Sequence, residues 1–288
     1  MRIKQNAARP CMRSLWRLPG AVLLAVALAA MPACDSQKSD DIPNAIDCYI
    51  LSLCFQENTR FGMVGDSWTD FGLGIQIQRD LRDWLEVSHG YNMTEVVLAG
   101  QTLEADLNRA RGFQRVIERA GPELAYMLIS LGGNDLLDNI NEYGSAADPN
   151  TVLDARLNAY EANLRNMIAQ GDFLKIQMYG GEPLTWILHG YDYANPEKVS
   201  GCNLTTGSFS AAQKDTLFQT NLDQYNIRQQ AIAASMNNVL HIDLRGTLGG
   251  PPTSNPGLKI DCIHPNDPGF EIIASRYAAG LQLITQER

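Results

Sequence analysis

The stretch FGMVGDSWTDFG, Phe61 to Gly72, carries an apolar run that stops at Gly65 and Asp66 and is followed at once by a serine, Ser67. A short apolar run closed by turn-forming residues reads as a buried strand, here Arg60–Gly65. Gly-Asp-Ser is a common turn sequence, so Ser67 is either a nucleophile or a serine in a turn. The rest of the chain decides between the two.

Working outward, the same pattern recurs. TEVVLAG (Thr94 to Gly100), LAYMLISLGG (Leu124 to Gly133), TWILHG (Thr185 to Gly190) and NVLHIDL (Asn238 to Leu244) read as four further strands. Helical spacing fills the gaps. In IQIQRDLRDWLEVSH, residues Ile75, Leu81, Trp84 and Leu85 share a face. LEADLNRARGFQRVIERA reads as one helix, and VLDARLNAYEANLRNMIAQ (Val152 to Gln170) as another. AAQKDTLFQTNLDQYNIRQQAIAASM is expected to be a long, interrupted helix, and PGFEIIASRYAAGLQLI the closing one. Tyr191 to Ser210, rich in Gly, Pro, Asn and Ser, is expected to be a surface loop. No internal repeat is visible.

Strand and helix in alternation specify a parallel sheet covered on both faces. The predicted fold class is α/β, a three-layer α/β/α sandwich around a central parallel sheet of about five strands. Ligands of such sheets bind beyond the carboxyl ends of the strands. Ser67 follows the first strand, Gly100 ends the second, and GGND (Gly132 to Asp135) ends the third.

The first 33 residues read as an export signal. Arg2, Lys4, Arg9, Arg13 and Arg17 form a basic start, and GAVLLAVALAA (Gly20 to Ala30) a core too short to span a bilayer. Cys34 follows MPA, as at a lipoprotein cleavage box, although Met31 and Pro32 depart from the usual residues there. The alternative is an ordinary secretory signal cut near Ala30. The expected division is 1–33 signal, 34–56 tether and N-terminal disulfide segment, and 57–288 the functional domain. The expected location is the cell envelope or periplasm, lipid-anchored at Cys34, or else secreted.

Cleavage leaves 255 residues, with 18 Lys and Arg against 32 Asp and Glu, a net charge of −14. That balance leaves no basic patch for a nucleic-acid backbone. Cys48, Cys54, Cys202 and Cys262 contain no C-x-x-C pair, so a metal site is not expected. In an exported chain they suggest two disulfides. Three connectivities are open, and the local choice, Cys48–Cys54, leaves Cys202–Cys262.

A serine needs a base to become a nucleophile. Of the four histidines, His89 lies in a helix-end loop, His189 ends the fourth strand, and His241 sits within the fifth. His264, in KIDCIHPNDPGF, has Asp261 three residues before it, near enough to accept Nδ1–H and aim Nε2 at a serine. The competing reading is that Asp261 and Asn266 merely cap the last helix. Gly100 offers an unshielded N–H and Asn134 a side-chain amide, the donors an oxyanion requires.

Taken together, GDSWTD with Ser67, LAGQT with Gly100, GGND with Asn134, and DCIHPN with Asp261 and His264 resemble the four blocks of the SGNH hydrolases, the GDSL esterases and lipases. The likeness extends to HPNDPGFEIIASRYA and covers about residues 57 to 284. Trp68 stands where the family usually has leucine, and the 171–210 region is longer than the minimal family core. No G-x-S-x-G elbow is present, which argues against the larger α/β-hydrolase fold.

The resemblance implies an SGNH, flavodoxin-like fold and a carboxylic-ester hydrolase. Ser67 would be the nucleophile, His264 the base, and Asp261 its orienter. Ser67, Gly100 and Asn134 would form the oxyanion hole, and no cofactor or metal is required. The expected partner is a small-molecule, glycan or lipid acyl ester, with no nucleic acid, and a membrane only through a lipid on Cys34. An acyltransferase would use the same residues and differ in its acceptor. A silent glycan-binding lipoprotein would need none of them. Trp68, Phe71, Trp186, Tyr191 and Tyr193 are candidates for an acyl pocket or sugar platform, or else for core. His189, Gly190, Tyr191 and Asp192 are expected to border that pocket. A bridge between Cys202 and Cys262 would pin the base-bearing loop to the loop after the fourth strand.

Overall fold

A computed structural model of the chain describes residues 58–71, 78–138, 140–197 and 209–286. The signal segment, Cys34, Cys48, Cys54, Cys202 and Ile75 lie outside the described residues. Among the described residues no helix is long and apolar enough to cross a membrane.

Five strands form one parallel sheet: β1 (Asn58–Gly65), β2 (Met93–Val97), β3 (Tyr126–Ser130), β4 (Thr185–His189) and β5 (Val239–Ile242). Their order across the sheet is β2-β1-β3-β4-β5. Every residue of β3 and β4 is buried, as expected of strands covered on both faces, whereas the edge strands β2 and β5 also carry half-exposed positions. Gly65 of β1 pairs with Val97 of β2 and Ser130 of β3, so three strands end at one level. The chain order reverses between β1 and β3, the switch point where sheets of this order open a crevice for ligands.

The helices lie in two layers. On one side α1 (Leu81–His89) packs on the last helix, α8 (Asp267–Gln286). In α1, Asp80 and Asp83 form a reciprocal capping box, and Leu81 and Leu85 are buried. In α8, Ile273, Tyr277 and Leu281 recur every four residues and are wholly buried. On the other side, α3 (Gly112–Ala120) packs on β1, β2 and α6 (Pro149–Tyr179), and α6 packs on α7 (Ala211–Ser235). Three short α-helices are also present among the described residues: α2 (Leu103–Ala105), α4 (Gly133–Leu137) and α5 (Asn141–Ser145). Full burial of each large apolar side chain in this core contributes about 1.5–3 kcal/mol.

Three sequence expectations are corrected. The helix read after β2 is broken into α2, a π turn over Asp106–Ala110, and α3. Arg111 turns left-handed at the break, and the Asp106 carboxylate accepts the N–H groups of Gly112 and Phe113 to start α3. α7 is uninterrupted, and two of the polar residues that blur its period, Asn226 and Gln229, are buried and bonded. Asn226 donates to Leu222 and Tyr191 carbonyls, and Gln229 to the Tyr160 hydroxyl and His189 carbonyl.

The third correction concerns Tyr191–Asn195, which is interior rather than surface loop. Asp192 accepts three backbone N–H groups, from Tyr193, Gly246 and Leu248, and Asn195 donates its N–H to the Cys262 carbonyl. Polar composition here signals backbone satisfaction, not exposure.

Candidate active site

The turn after β1 is built by Asp66. Its N–H donates to the Ser130 carbonyl at 3.1 Å, its carbonyl accepts Thr69 N–H and hydroxyl, and its Oδ1 accepts Trp68 N–H at 3.1 Å. The peptide is therefore held on both sides of Ser67, which stays half-exposed while Asp66 and Trp68 are fully buried. The remaining Asp66 oxygen, Oδ2, accepts the Tyr191 hydroxyl. Burial lifts the Asp66 carboxyl to about 7, against the bonds from Tyr191 and Trp68 that oppose the rise.

The second turn precedes α8. Lys259 and Pro265 form an isolated antiparallel bridge, and Ile260 N–H donates to the His264 carbonyl at 3.0 Å, which closes the loop between them. Inside it, Asp261 Oδ1 accepts Ile263 N–H at 2.8 Å and His264 N–H at 2.7 Å. Asp261 Oδ2 lies 2.7 Å from His264 Nδ1, and His264 Nε2 lies 2.7 Å from Ser67 Oγ. Burial raises the Asp261 carboxyl, but the bond and charge of His264 and the two N–H donors outweigh it and hold it below its ordinary value. The capping reading belongs to Asn266 alone, whose Oδ1 accepts Gly269 N–H. The Phe71 ring rests 4.7 Å from the His264 ring.

The exits of β2 and β3 meet beside this pair. Asn134, in the first turn of α4, donates Nδ2 to the Gln101 carbonyl at 2.9 Å. One of its two amide hydrogens is thereby fixed and the other remains. Gly100 is exposed in a left-handed conformation, φ 74°, which favours glycine. Asp70 Oδ2 accepts Ala99 N–H at 3.2 Å, and Asp135 accepts Leu103 and Glu104 N–H groups. The turns carrying Ser67, Gly100 and Asn134 are thus tied together by Asp70, Asn134 and Asp135.

Sequence reasoning missed the supporting set. Tyr191 stacks on Trp68 at 4.5 Å and 2°, and its ring fills the space where a Cβ on Gly133 would come within 1.9 Å. It therefore touches the Ser67 turn and the Asn134 turn at once. The only local signal is the GG before Asn134, which marks a close approach without naming the partner.

The expected pocket-lining residues are mostly core. Trp68, Trp186, Tyr191 and Tyr193 are buried; Trp186 Nε1 donates to Asp172 and the Tyr193 hydroxyl to Asp223. His189 and Asp192, expected at the pocket border, are interior as well. His189 Nδ1 sits 3.1 Å from the Gly190 carbonyl, and burial pushes its imidazole down to about 4. His241 is half-buried on β5, and burial lowers it likewise to about 4. His89 ends α1, 3.4 Å from Ser275. Among the described residues no group of acidic, His and Cys side chains could hold a metal ion.

This arrangement is a hydroxyl, an imidazole and a carboxylate in series beside an exposed glycine turn and a side-chain amide. The chain matches the family described as GDSL-like lipase/acylhydrolase over residues 63–272. No curated protein matches it. Among solved structures it is similar to the lipase Lip_vut3 from a goat rumen metagenome, at 17% identity and TM-score 0.53, covering 76% of this chain and 95% of that one. An acylhydrolase candidate from Bacteroides fragilis NCTC 9343 is similar at 16% identity and TM-score 0.51, covering 86% and 99%. These likenesses speak for the fold, and the family match carries more. The chain belongs to the GDSL-like lipase/acylhydrolase family, the SGNH hydrolases, and is an ester-hydrolysing enzyme.

Proposed function

We propose that the chain is a serine esterase that hydrolyses carboxylic esters through an acyl-enzyme on Ser67. The observation that carries the reading is the unbroken series from Asp261 to His264 to Ser67, each contact 2.7 Å long. Ser67 Oγ attacks the ester carbonyl carbon as its proton passes to His264 Nε2. Asp261 holds Nδ1–H and stabilises the imidazolium that forms. The carbonyl oxygen becomes an oxyanion held by the Ser67 and Gly100 N–H groups and the Asn134 amide. The tetrahedral intermediate collapses, the C–O bond to the alcohol breaks, and His264 returns the proton to the departing oxygen. Water then attacks the acyl-enzyme with His264 again taking a proton. The acid leaves and Ser67 regains its hydrogen.

With four of the five candidate aromatics in the core, Phe71 is the one left beside the reacting pair. That suits short to medium acyl groups rather than a long chain. We also propose export by the N-terminal signal with lipidation at Cys34. A Cys202–Cys262 bridge belongs to the same proposal, supported by the engagement of Cys262 in a disulfide.

The test is labelling of the mature protein with a fluorophosphonate, beside Ser67→Ala and His264→Ala. Wild type should label, Ser67→Ala should not, and kcat for a short-chain ester should fall by a factor of about 10³ or more in each variant. A folded wild-type protein that neither labels nor turns over esters overturns the reading.

A further inference from the structure

We propose that Lys259 is a positioning residue for this reaction: its ammonium clamps the base-bearing turn onto the nucleophile-bearing turn, and turnover depends on its charge. The inference rests on the esterase reading above. Lys259 is 1% exposed, an unusual place for a lysine, and the steps of hydrolysis make no direct use of it. Its Nζ donates to the Ile263 carbonyl at 2.9 Å, in the residue just before His264. The same Nζ lies 5.7 Å from the centre of the Trp68 ring, in the residue just after Ser67, within the range of a cation–π contact. Its backbone bridges Pro265, the residue just after His264. One side chain therefore touches both turns whose separation sets the Nε2 to Oγ distance.

The charged groups facing Lys259 are Asp192, from the segment after β4, and Asp261, from its own turn; from the Ser67 turn it meets only the uncharged indole. Asp192 is already satisfied by three backbone N–H groups, so it supplies attraction without needing the lysine as a partner. A buried ammonium costs desolvation that two carboxylates only partly offset. Burial accordingly pulls the lysine down to about 8, with Asp192 and Asp261 opposing. As pH rises through that value the cation–π contact and the pull toward both carboxylates fade, and the clamp loosens.

The stability effect runs the other way. The folded value lies below the ordinary 10.5, so between about 8 and 10.5 the unfolded chain binds more protons at this site. Titration of Lys259 therefore favours the folded state as pH rises through that window. A fall in activity across it does not come from unfolding through this group.

The experiment measures kcat and KM against pH for wild type, Lys259→Met, Lys259→Arg and Ser67→Ala with a short-chain aryl ester. Wild-type kcat should decline as pH rises through about 8. Lys259→Met should lower neutral-pH kcat about tenfold at nearly unchanged KM and lose that decline. Lys259→Arg, charged throughout, should lose the decline while keeping more of kcat. A Lys259→Met protein with wild-type kcat, or one that keeps the alkaline decline, overturns the inference, as does a flat wild-type profile. Should Lys259→Met fail to fold, a decline in Lys259→Arg matching wild type overturns it equally. Activity surviving in Ser67→Ala would instead sink the esterase reading. An inactive Ser67→Ala beside an unaltered Lys259→Met would sink the clamp alone.

Discussion

The exits of β1 and β4 lie at the same edge of one sheet and look alike in sequence. One reads Gly-Asp-Ser-Trp and the other His-Gly-Tyr-Asp. Each carries an aspartate, an aromatic ring and a polar group able to move a proton. At the β4 exit all of these turn inward. His189, Tyr191 and Asp192 are buried, with His189 against its neighbour's carbonyl, Tyr191 on Asp66, and Asp192 on three backbone N–H groups. At the β1 exit the aspartate turns inward in the same way, but Ser67 is left half-exposed with its hydroxyl on an imidazole. Standing at the carboxyl edge gives a residue access to a ligand. Chemistry needs in addition a heteroatom that the fold leaves within reach of solvent. The β4 exit is the scaffold on which the β1 exit is held.

If that division is right, substitutions at the β1 side should strike turnover, and those at the β4 side stability. The largest effect is expected at Asp261→Asn. The variant keeps the shape but loses the charge proposed to steady the imidazolium, and it favours the wrong tautomer of His264 for the proposed reaction. Turnover should fall by a factor of about 10³–10⁴ with KM little changed. Steady-state kinetics checks this, and a loss below tenfold would show that Asp261 serves only the backbone of its turn.

Asn134→Ala comes next. Removing one proposed oxyanion donor is expected to lower kcat by a factor of about 10²–10³. The same amide also ties α4 to the Gln101 carbonyl, so some loss of stability should accompany it. Thermal melting of the variant separates the two roles. A protein that melts much lower yet turns over normally would move Asn134 to the scaffold side of the comparison.

The pieces of the candidate site were legible because each is a local signal. Gly-Asp-Ser closes an apolar run, and Asp261 stands one turn before His264, while the pairing of Ser67 with His264, 197 positions apart, was expected from the likeness to the four family blocks. The five strands were readable as local signals too. The scaffold was not legible, because its contacts join distant segments. Tyr191 and Asp66 are 125 positions apart, and no composition rule pairs them. The polar run Tyr191–Asn195 imitated a surface loop, since a buried segment that must satisfy its backbone uses the same residue types as an exposed one. Lys259 was invisible because charge normally marks the surface. The length of α6 was underestimated for a related reason: Phe173, Ile176 and Met178 in its last turns are exposed, so the apolar period fades while the helix continues to Tyr179.

The smallest effect on turnover, and the sharpest test of the scaffold, is expected at Tyr191→Phe. The ring and its stack on Trp68 survive, and only the bond to Asp66 is lost. Asp66 is raised by burial from 3.8 to about 7, so between these values the folded chain holds a proton that the unfolded chain has released. Stability is therefore greatest below 3.8 for this group and declines as pH rises through about 7. Asp80, also raised to about 7 by burial, adds a decline of the same sign, so the comparison with wild type is what isolates Asp66. Without the hydroxyl the Asp66 carboxylate loses a donor and its value moves up further, which extends the decline to higher pH. The variant should match wild type most closely in acid and fall behind by about 1–3 kcal/mol once the wild-type carboxyl is ionised. Chemical denaturation across that range checks it, with kcat reduced less than in Asn134→Ala. A stability gap that stays constant with pH would mean the hydroxyl acts through packing alone. A gap that opens with pH would mean that the β4 exit holds the nucleophile turn through one buried hydrogen bond.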